Sequence, residues 1–189
     1  MSIQKYGTAW ARRIVRESRP IFDAVDADFV IAGGWCRDTA RGDPTRDADL
    51  WFPTQEARDR VAATIKEVGV VEKKGSSGLA EEASVPGLPT ALDLIYDKDR
   101  PCGASLIETF DLTCCQCVVL RRGDVWATPE FVEDAIENKR LRVAAPRVAA
   151  DNLRHAMRLA AKGYTFKSAK EADDAVRAWY GTLAKKEAV

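Results

Sequence analysis

Two aspartates, Asp47 and Asp49, are well placed in this 189-residue chain for metal chemistry. They lie in the stretch "DADLWF", where acidic and apolar residues alternate as in a strand with one polar face. Side chains at positions i and i+2 of a strand point to the same side. A third aspartate, Asp93, lies in "TALDLIYD", which predicts a second strand that could pair beside the first. Three such carboxylates would bind divalent cations through hard oxygen ligands, and two Mg²⁺ ions suit the set.

A pair of glycines before this strand suggests a phosphate site. Gly33 and Gly34 end the apolar stretch "DFVIAGG" and precede a short helical pattern. A strand that turns through glycines into a helix leaves backbone amides free and lets a phosphate approach closely. Arg37 would offset phosphate charge, although Arg37 and Asp38 also suit a plain salt bridge within the helix. Together with the aspartates, these residues predict a nucleotide-binding corner.

Each feature has a simpler explanation when it is taken alone. An Asp-x-Asp pair is more often a solvated strand face than a metal site, and a Gly-Gly pair is usually only a turn. Their conjunction within residues 30–52 favours the nucleotide site.

The elements that would hold these residues follow from apolar periodicity and turn residues. Helices are predicted over residues 8–25, 35–41, 54–69, 103–111, 130–139, 148–164 and 168–186, and strands over 28–34, 47–52, 90–97, 112–120 and 125–128. Residues 70–89 predict a hairpin with "GSSG" at its tip, and Pro20 could break or kink the first helix. The fold class expected is therefore α+β, a sheet core followed by a helical end.

Composition narrows the function classes. Apolar residues make up 46% of the chain, which is typical of a globular protein, and 29 basic residues balance 29 acidic ones. A neutral chain has no general attraction to a polyanion, so any RNA contact would need a local patch. The basic run Lys139, Arg140, Arg142 and Arg147 could supply one or could be a solvated face. We expect no membrane segment and a cytoplasmic location, because the N-terminus lacks the apolar stretch of a secretory signal.

The five cysteines are expected to be reduced. Their number is odd, and no C-x-x-C spacing suggests zinc. Cys114, Cys115 and Cys117 lie in "LTCCQCVVL", which alternates like a buried strand, so core packing is the favoured interpretation.

The order "GGWCRD", then Gly42, then "DPTR" and "DADLW" resembles a known signature. It is similar to the head domain of class II CCA-adding enzymes and bacterial poly(A) polymerases, within the DNA polymerase β nucleotidyltransferase superfamily. The resemblance implies a small mixed sheet with flanking helices over residues 1–145 and a short helical neck over 146–189. It also implies template-independent transfer of NMP from an NTP, ATP or CTP, to an acceptor hydroxyl such as an RNA 3′ end.

Two later segments extend the resemblance with departures. "FDLTCCQ" resembles the family's Arg-Asp-Phe-Thr-Ile-Asn segment; Asp111 and Thr113 match it, whereas Phe110 and Cys115 replace its arginine and asparagine. Asp111 would therefore contact the nucleotide.

Further on, Asp151 and Arg154 match the family's Glu-Asp-x-x-Arg element, in which Ala150 replaces the glutamate. In the family this Asp and Arg read the edge of the incoming base. The two positions share one helix face, and Arg158 would extend it.

The resemblance assigns the triphosphate to Gly33 and Gly34, the two magnesium ions to Asp47 and Asp49, and the acceptor hydroxyl to Asp93. The chain is short for the family, so recognition of a whole tRNA would need a partner or a homo-oligomer. Two alternatives stay open. The acceptor could be a protein or a small molecule, or the chain could be a nucleotide-binding regulator without turnover.

Overall fold

The computed structural model describes residues 2–74, 80–144 and 149–186, with side chains for 2–72, 80–144 and 154–177. The predicted "GSSG" tip and Arg147 lie outside these residues. Within them, no helix is both long enough and apolar enough to cross a membrane.

The described residues form one mixed sheet in the order β1-β8-β7-β2-β3-β6-β5-β4. Its strands are β1 (Gln4–Tyr6), β2 (Val30–Ala32), β3 (Asp47–Trp51), β4 (Val70–Lys74), β5 (Ala80–Ser84), β6 (Ala91–Ile95), β7 (Cys117–Leu120) and β8 (Val125–Ala127). Strands β3 and β6 pair in parallel, and the other described pairs are antiparallel. This parallel pair carries the three predicted aspartates, Asp47 and Asp49 on β3 and Asp93 on β6.

The helices of the described chain are α1 (Ala9–Ala24), α2 (Gly34–Arg41), α3 (Gln55–Val68), α4 (Pro129–Phe131), α5 (Ala149–Ala161) and α6 (Ala169–Lys186). A π-helical segment, Val132–Glu137, continues α4, and Ala104–Thr109 forms a 3₁₀ helix. Local sequence sets several ends. The Thr54 hydroxyl accepts a hydrogen bond from the Ala57 amide at the start of α3, and Gly42 ends α2 in the left-handed region at φ 77°.

The core lies between the sheet and α1, α2 and α3. Ala48 and Leu50 of β3 point into it and are buried, together with Ile14 of α1 and Val61 of α3. Because side chains alternate along a strand, Asp47, Asp49 and Trp51 point to the opposite face. A smaller cluster around Trp51 and the 3₁₀ helix covers part of that face.

Most elements agree with the sequence predictions, and the α+β class is confirmed. The strand predicted over 112–120 is wrong in its first half, because Thr113–Cys115 forms a 3₁₀ turn and β7 begins only at Cys117. Strand β1 was not predicted. Pro20 lies inside α1 without ending it. The division into a head (1–145) and a neck (146–189) stays a prediction.

The five cysteines are free thiols. Four of them, Cys36, Cys114, Cys115 and Cys117, are buried, as core packing requires, and Cys102 is half-buried.

Candidate active site

The three predicted carboxylates lie on the same face of the sheet. Asp49 of β3 and Asp93 of β6 are register partners in the parallel pair. Partners on neighbouring strands lie about 4.8 Å apart and point to the same side. Asp47 precedes Asp49 by two residues and shares its face. Asp93 is buried, with 6% of its surface exposed, and the two β3 aspartates are half-buried.

The glycine turn adjoins this face. Gly33 follows β2, whose last residue, Ala32, is the register partner of Asp49. Gly33 has φ 78° and ψ −135°, and a Cβ atom placed on it would lie 3.2 Å from Asp49 Oδ2. It would also lie 3.5 Å from Cε1 of the Phe110 ring. Only glycine combines this backbone conformation with so close an approach to the carboxylate.

The sheet register adds an acidic residue that sequence reasoning missed. Glu82 of β5 is the antiparallel partner of Asp93, and Glu72 of β4 is the partner of Glu82, so an acidic row continues from Asp49 across four strands. Both glutamates are exposed. The signal was weak because "AEEAS" has two adjacent glutamates, so alternation does not show which one shares the aspartate face.

The chemistry of these side chains, carboxylates, is of the kind that binds hard divalent cations. Asp47 and Asp49 would hold Mg²⁺, with Asp93 beside them, since carboxylate oxygens are its preferred protein ligands. Among the residues whose side chains are described, no three Asp, Glu, His or Cys side chains come close enough together to form a metal site on their own. Asp47 forms an ion pair with Arg46, whose Nη2 lies 3.3 Å from Asp47 Oδ2.

Arg37 and Asp38 bind each other, which is the salt-bridge alternative. Arg37 donates to both carboxylate oxygens of Asp38, at 2.7 and 3.0 Å, and both residues are buried. Lys162, just after α5, donates to Asp38 at 2.6 Å. A Cβ on Gly34 would lie 3.5 Å from Arg37 Nη2, so the guanidinium packs under the glycine turn. Arg37 therefore lies at the turn, as predicted from the sequence, but its charge is paired with the buried Asp38 carboxylate.

Asp111 lies beside His155 and Cys115. Asp111 Oδ1 is 3.6 Å from His155 Nδ1, and Cys115 Sγ is 3.8 Å from His155 Nε2. Since Phe110 contacts the Gly33 turn, this group of residues lies next to the glycine turn.

The predicted base-reading residues lie on α5. Arg154 and Arg158 are exposed, whereas the side chain of Asp151 lies outside the described residues. Positions 151, 154 and 158 share one helix face, as predicted. The helix is held to the sheet domain through buried Ala156 and Leu159 and through His155.

The predicted basic run is largely matched by acidic partners. Arg140 donates to Glu133 at 2.5 Å, and Arg142 donates to Glu133 at 2.9 Å and to Asp134 at 3.1 Å. Lys139 lies 3.8 Å from an aspartate of the α2–β3 loop. The charges of Lys139, Arg140 and Arg142 are therefore paired within the protein, which weakens the case for an RNA-binding patch at these residues.

A cleft of about 500 Å³ lies elsewhere, between α1 and α2. Its lining includes Arg13, Trp35, Arg41 and Thr90, and none of the predicted site residues. The cleft is therefore separate from the face of the sheet that carries Asp47, Asp49 and Asp93.

Comparison with known proteins adds a fold likeness. No family model and no curated protein sequence matches the chain. Among solved structures, a Thermotoga maritima CCA-adding enzyme complexed with tRNA superposes with a TM-score of 0.61 at 14% identity, over 91% of this chain and 45% of that one. A CCA-adding enzyme in apo form I gives 0.61 at 14% identity, over 98% and 47%. A tRNA-processing enzyme with CTP gives 0.60 at 19% identity, over 89% and 47%. The chain thus has the fold found in CCA-adding enzymes and spans about half the length of these structures.

Proposed function

We propose that this chain is a metal-dependent, template-independent nucleotidyltransferase that transfers NMP from ATP or CTP to an acceptor hydroxyl. One observation carries the proposal: Asp49 and Asp93 are register partners beside the Gly33 turn. Solved neighbours with this fold include proteins complexed with CTP, ATP and tRNA, which supports NTP and an RNA 3′ end as substrates. The assignment to class II rests on the motifs in residues 33–51.

The residues divide the work as follows. Amides of Gly33 and Gly34 would bind the triphosphate. Asp47 and Asp49 would hold two Mg²⁺ ions, which when bound supply charge neutralisation and nucleophile activation. Asp93 would orient the acceptor hydroxyl and accept its proton. The hydroxyl oxygen then bonds to the α-phosphorus in line, and the bond to pyrophosphate breaks.

The remaining predicted contacts surround this centre. Asp111 would lie beside the nucleotide, and Asp151, Arg154 and Arg158 would read its base from α5. Arg37 and Asp38 would support the turn as a buried pair, because their charges already satisfy each other.

The test is incorporation of each labelled NTP in the presence of Mg²⁺, with total RNA, a protein lysate or small hydroxyl compounds as acceptors. Asp49→Asn and Asp93→Asn should each lower the rate on the order of 10²-fold or more, because each removes several kcal/mol of charge stabilisation. Glu72→Gln is the matched control, since it lies on the same face two strands beyond Asp93.

Label in RNA supports the RNA acceptor, whereas label in another pool changes only the acceptor. Full activity in Asp49→Asn, or equal loss in Glu72→Gln, refutes the assignment. NTP binding without metal-dependent transfer to any pool supports a regulator instead.

A further inference from the structure

Cys115 lies in a group of charged side chains, and the proposed transfer gives its sulfur no role. Arg37 Nη1 donates to Cys115 Sγ at 3.3 Å, and His155 Nε2 lies 3.8 Å from the same sulfur. On its far side, His155 Nδ1 lies 3.6 Å from Asp111 Oδ1. His155 therefore lies between Cys115 and Asp111, and Arg37 donates a hydrogen bond to the sulfur of Cys115.

The charges around this group favour one position for the shared proton. Arg37 places positive charge beside the sulfur, which stabilises a thiolate. Asp111 places negative charge beside the far ring nitrogen, which stabilises an imidazolium. Moving the proton from Cys115 to His155 leaves the total charge unchanged, so burial does not oppose it as strongly as it opposes a single isolated charge.

We propose that Cys115 is held as a thiolate by Arg37 and His155, and that it is a modification site for small peroxides. Cys115 is 1% exposed, but the His155 side chain, whose Nε2 lies 3.8 Å from its sulfur, is 29% exposed. His155 thus links the buried sulfur to the solvent-exposed surface, and we expect a small peroxide to reach the sulfur when this side chain moves.

The pKa shifts of the two groups agree with this geometry. A hydrogen bond from Cys114, together with the charges of Arg37 and His155, lowers the pKa of the Cys115 thiol well below its usual value despite burial. Burial lowers the pKa of His155, but the charge on Cys115 and the hydrogen bond to Asp111 outweigh it and raise that pKa to about 10.

The surrounding titratable and charged groups come from several elements. They are Arg37 and Asp38 of α2, Asp111, Cys114, Asp134 of the π-helical segment, His155 of α5, and Lys162 and Tyr164 beyond it. The negative charge of Asp38 offsets part of the positive charge of Arg37. Lys162 contacts the same carboxylate and offsets part of its negative charge, so Arg37 keeps more of its effect on the sulfur.

The modification is a two-electron oxidation. The Cys115 thiolate attacks one oxygen of hydrogen peroxide, an S–O bond forms and the O–O bond breaks. The leaving hydroxide takes the proton of the His155 imidazolium and departs as water. The products are a sulfenic acid, a neutral imidazole and one water.

The first measurement needs no variant. His155 is the sole histidine of the chain, so its ring ¹⁵N signals are identified without further assignment. They should remain those of an imidazolium at pH 8, where a free histidine is neutral. Cys115→Ser should move the titration towards lower pH. A ring that titrates near 6.5 in the unmodified protein overturns the ion pair.

The second measurement follows the sulfur. The protein is treated with hydrogen peroxide at pH 7, sulfenic acid is trapped with dimedone, and peptides are mapped by mass spectrometry. Cys102 is the internal control, because it is more exposed but burial and the charge of Asp28 raise its pKa to about 11. Cys115 should be labelled about tenfold faster or more, since the thiolate is the nucleophile.

Faster labelling of Cys102, or an unlabelled Cys115, overturns the modification site even if His155 stays charged. Neither measurement uses a nucleotide, so a failure of the proposed transferase function does not affect them.

Discussion

Gly33→Ala separates the backbone role of the glycine turn from its contact with the carboxylate. The backbone at Gly33 has φ 78° and ψ −135°, a conformation that side chains other than glycine rarely adopt. Forcing alanine into it costs about 1–3 kcal/mol. For a chain of this size, each kcal/mol lowers the melting temperature by about 2–4 °C. The expected decrease in Tm is therefore ~2–12 °C.

The new methyl group adds a second effect at the site. It would lie 3.2 Å from Asp49 Oδ2 and 3.5 Å from the Phe110 ring, so the carboxylate must shift by a few tenths of an ångström. Misplacement of a reacting group on the scale of 1 Å can cost about 10²-fold in rate. We therefore expect Mg²⁺-dependent nucleotide incorporation to fall by roughly tenfold or more, measured well below the Tm.

Gly103→Ala is the matched control. Gly103 has φ 119° and ψ −160°, and a Cβ atom there meets nothing within 4 Å. It should lower the Tm by a similar amount and leave incorporation unchanged. Calorimetry measures the first effect and labelled-NTP transfer the second. If Gly33→Ala retains full transfer, or if Gly103→Ala loses as much, the close approach of the turn to Asp49 is not what the site depends on.

Two further predictions concern stability. Asp38→Asn should reduce the free energy of unfolding in urea by about 3–5 kcal/mol, because it removes the carboxylate that binds the buried Arg37 guanidinium in two hydrogen bonds; Asp59→Asn, which alters an ion pair whose carboxylate is 49% exposed, should cost about 1 kcal/mol or less. Folding raises the pKa of His155, so the stabilisation that His155 gives to the folded state is full below about pH 6.5 and is lost as pH rises through 10. Folding lowers the pKa of Cys115, so the stabilisation that Cys115 gives is full above about pH 8.5 and is lost as pH falls through its folded pKa. The two slopes cancel between these limits, so the stability difference between the protein and Cys115→Ser should be flat from about pH 6.5 to 8.5 and decrease on either side; urea titrations across this range measure it, and a steady slope through pH 7.5 contradicts the ion pair.

Local patterns predicted much of the sheet. The alternation in "DADLWF" predicted both β3 and the face on which Asp47 and Asp49 lie, because side-chain direction has a period of two. Thr54 and Gly69 marked the two ends of α3 correctly, since caps are local features. The neighbour relation of Asp49 and Asp93 could only be suggested, because strand register depends on packing of the whole sheet.

Other features depend on contacts that no local pattern shows. β1 has only three residues, Gln4–Tyr6, too few for periodicity, and exists through pairing with β8. The sequence left open whether Arg37 binds phosphate or pairs with Asp38, because Cys115, its other partner, is brought to it only by the fold. The contact between Cys115 and His155 joins residues 40 positions apart, and the motif comparison indicated only that Cys115 departs from the family pattern.

The parallel pairing of β3 with β6 has a consequence for the order in which the chain folds. Antiparallel neighbours can be joined by a tight turn, but this pair is closed only after α3 and the β4–β5 hairpin have been laid down between them. Contacts of such long sequence separation form slowly, since the intervening loop must be ordered first. A partly synthesised chain that ends before β6 would carry Gly33, Asp47 and Asp49 but not Asp93, so the set of three carboxylates is complete only once β6 has paired with β3.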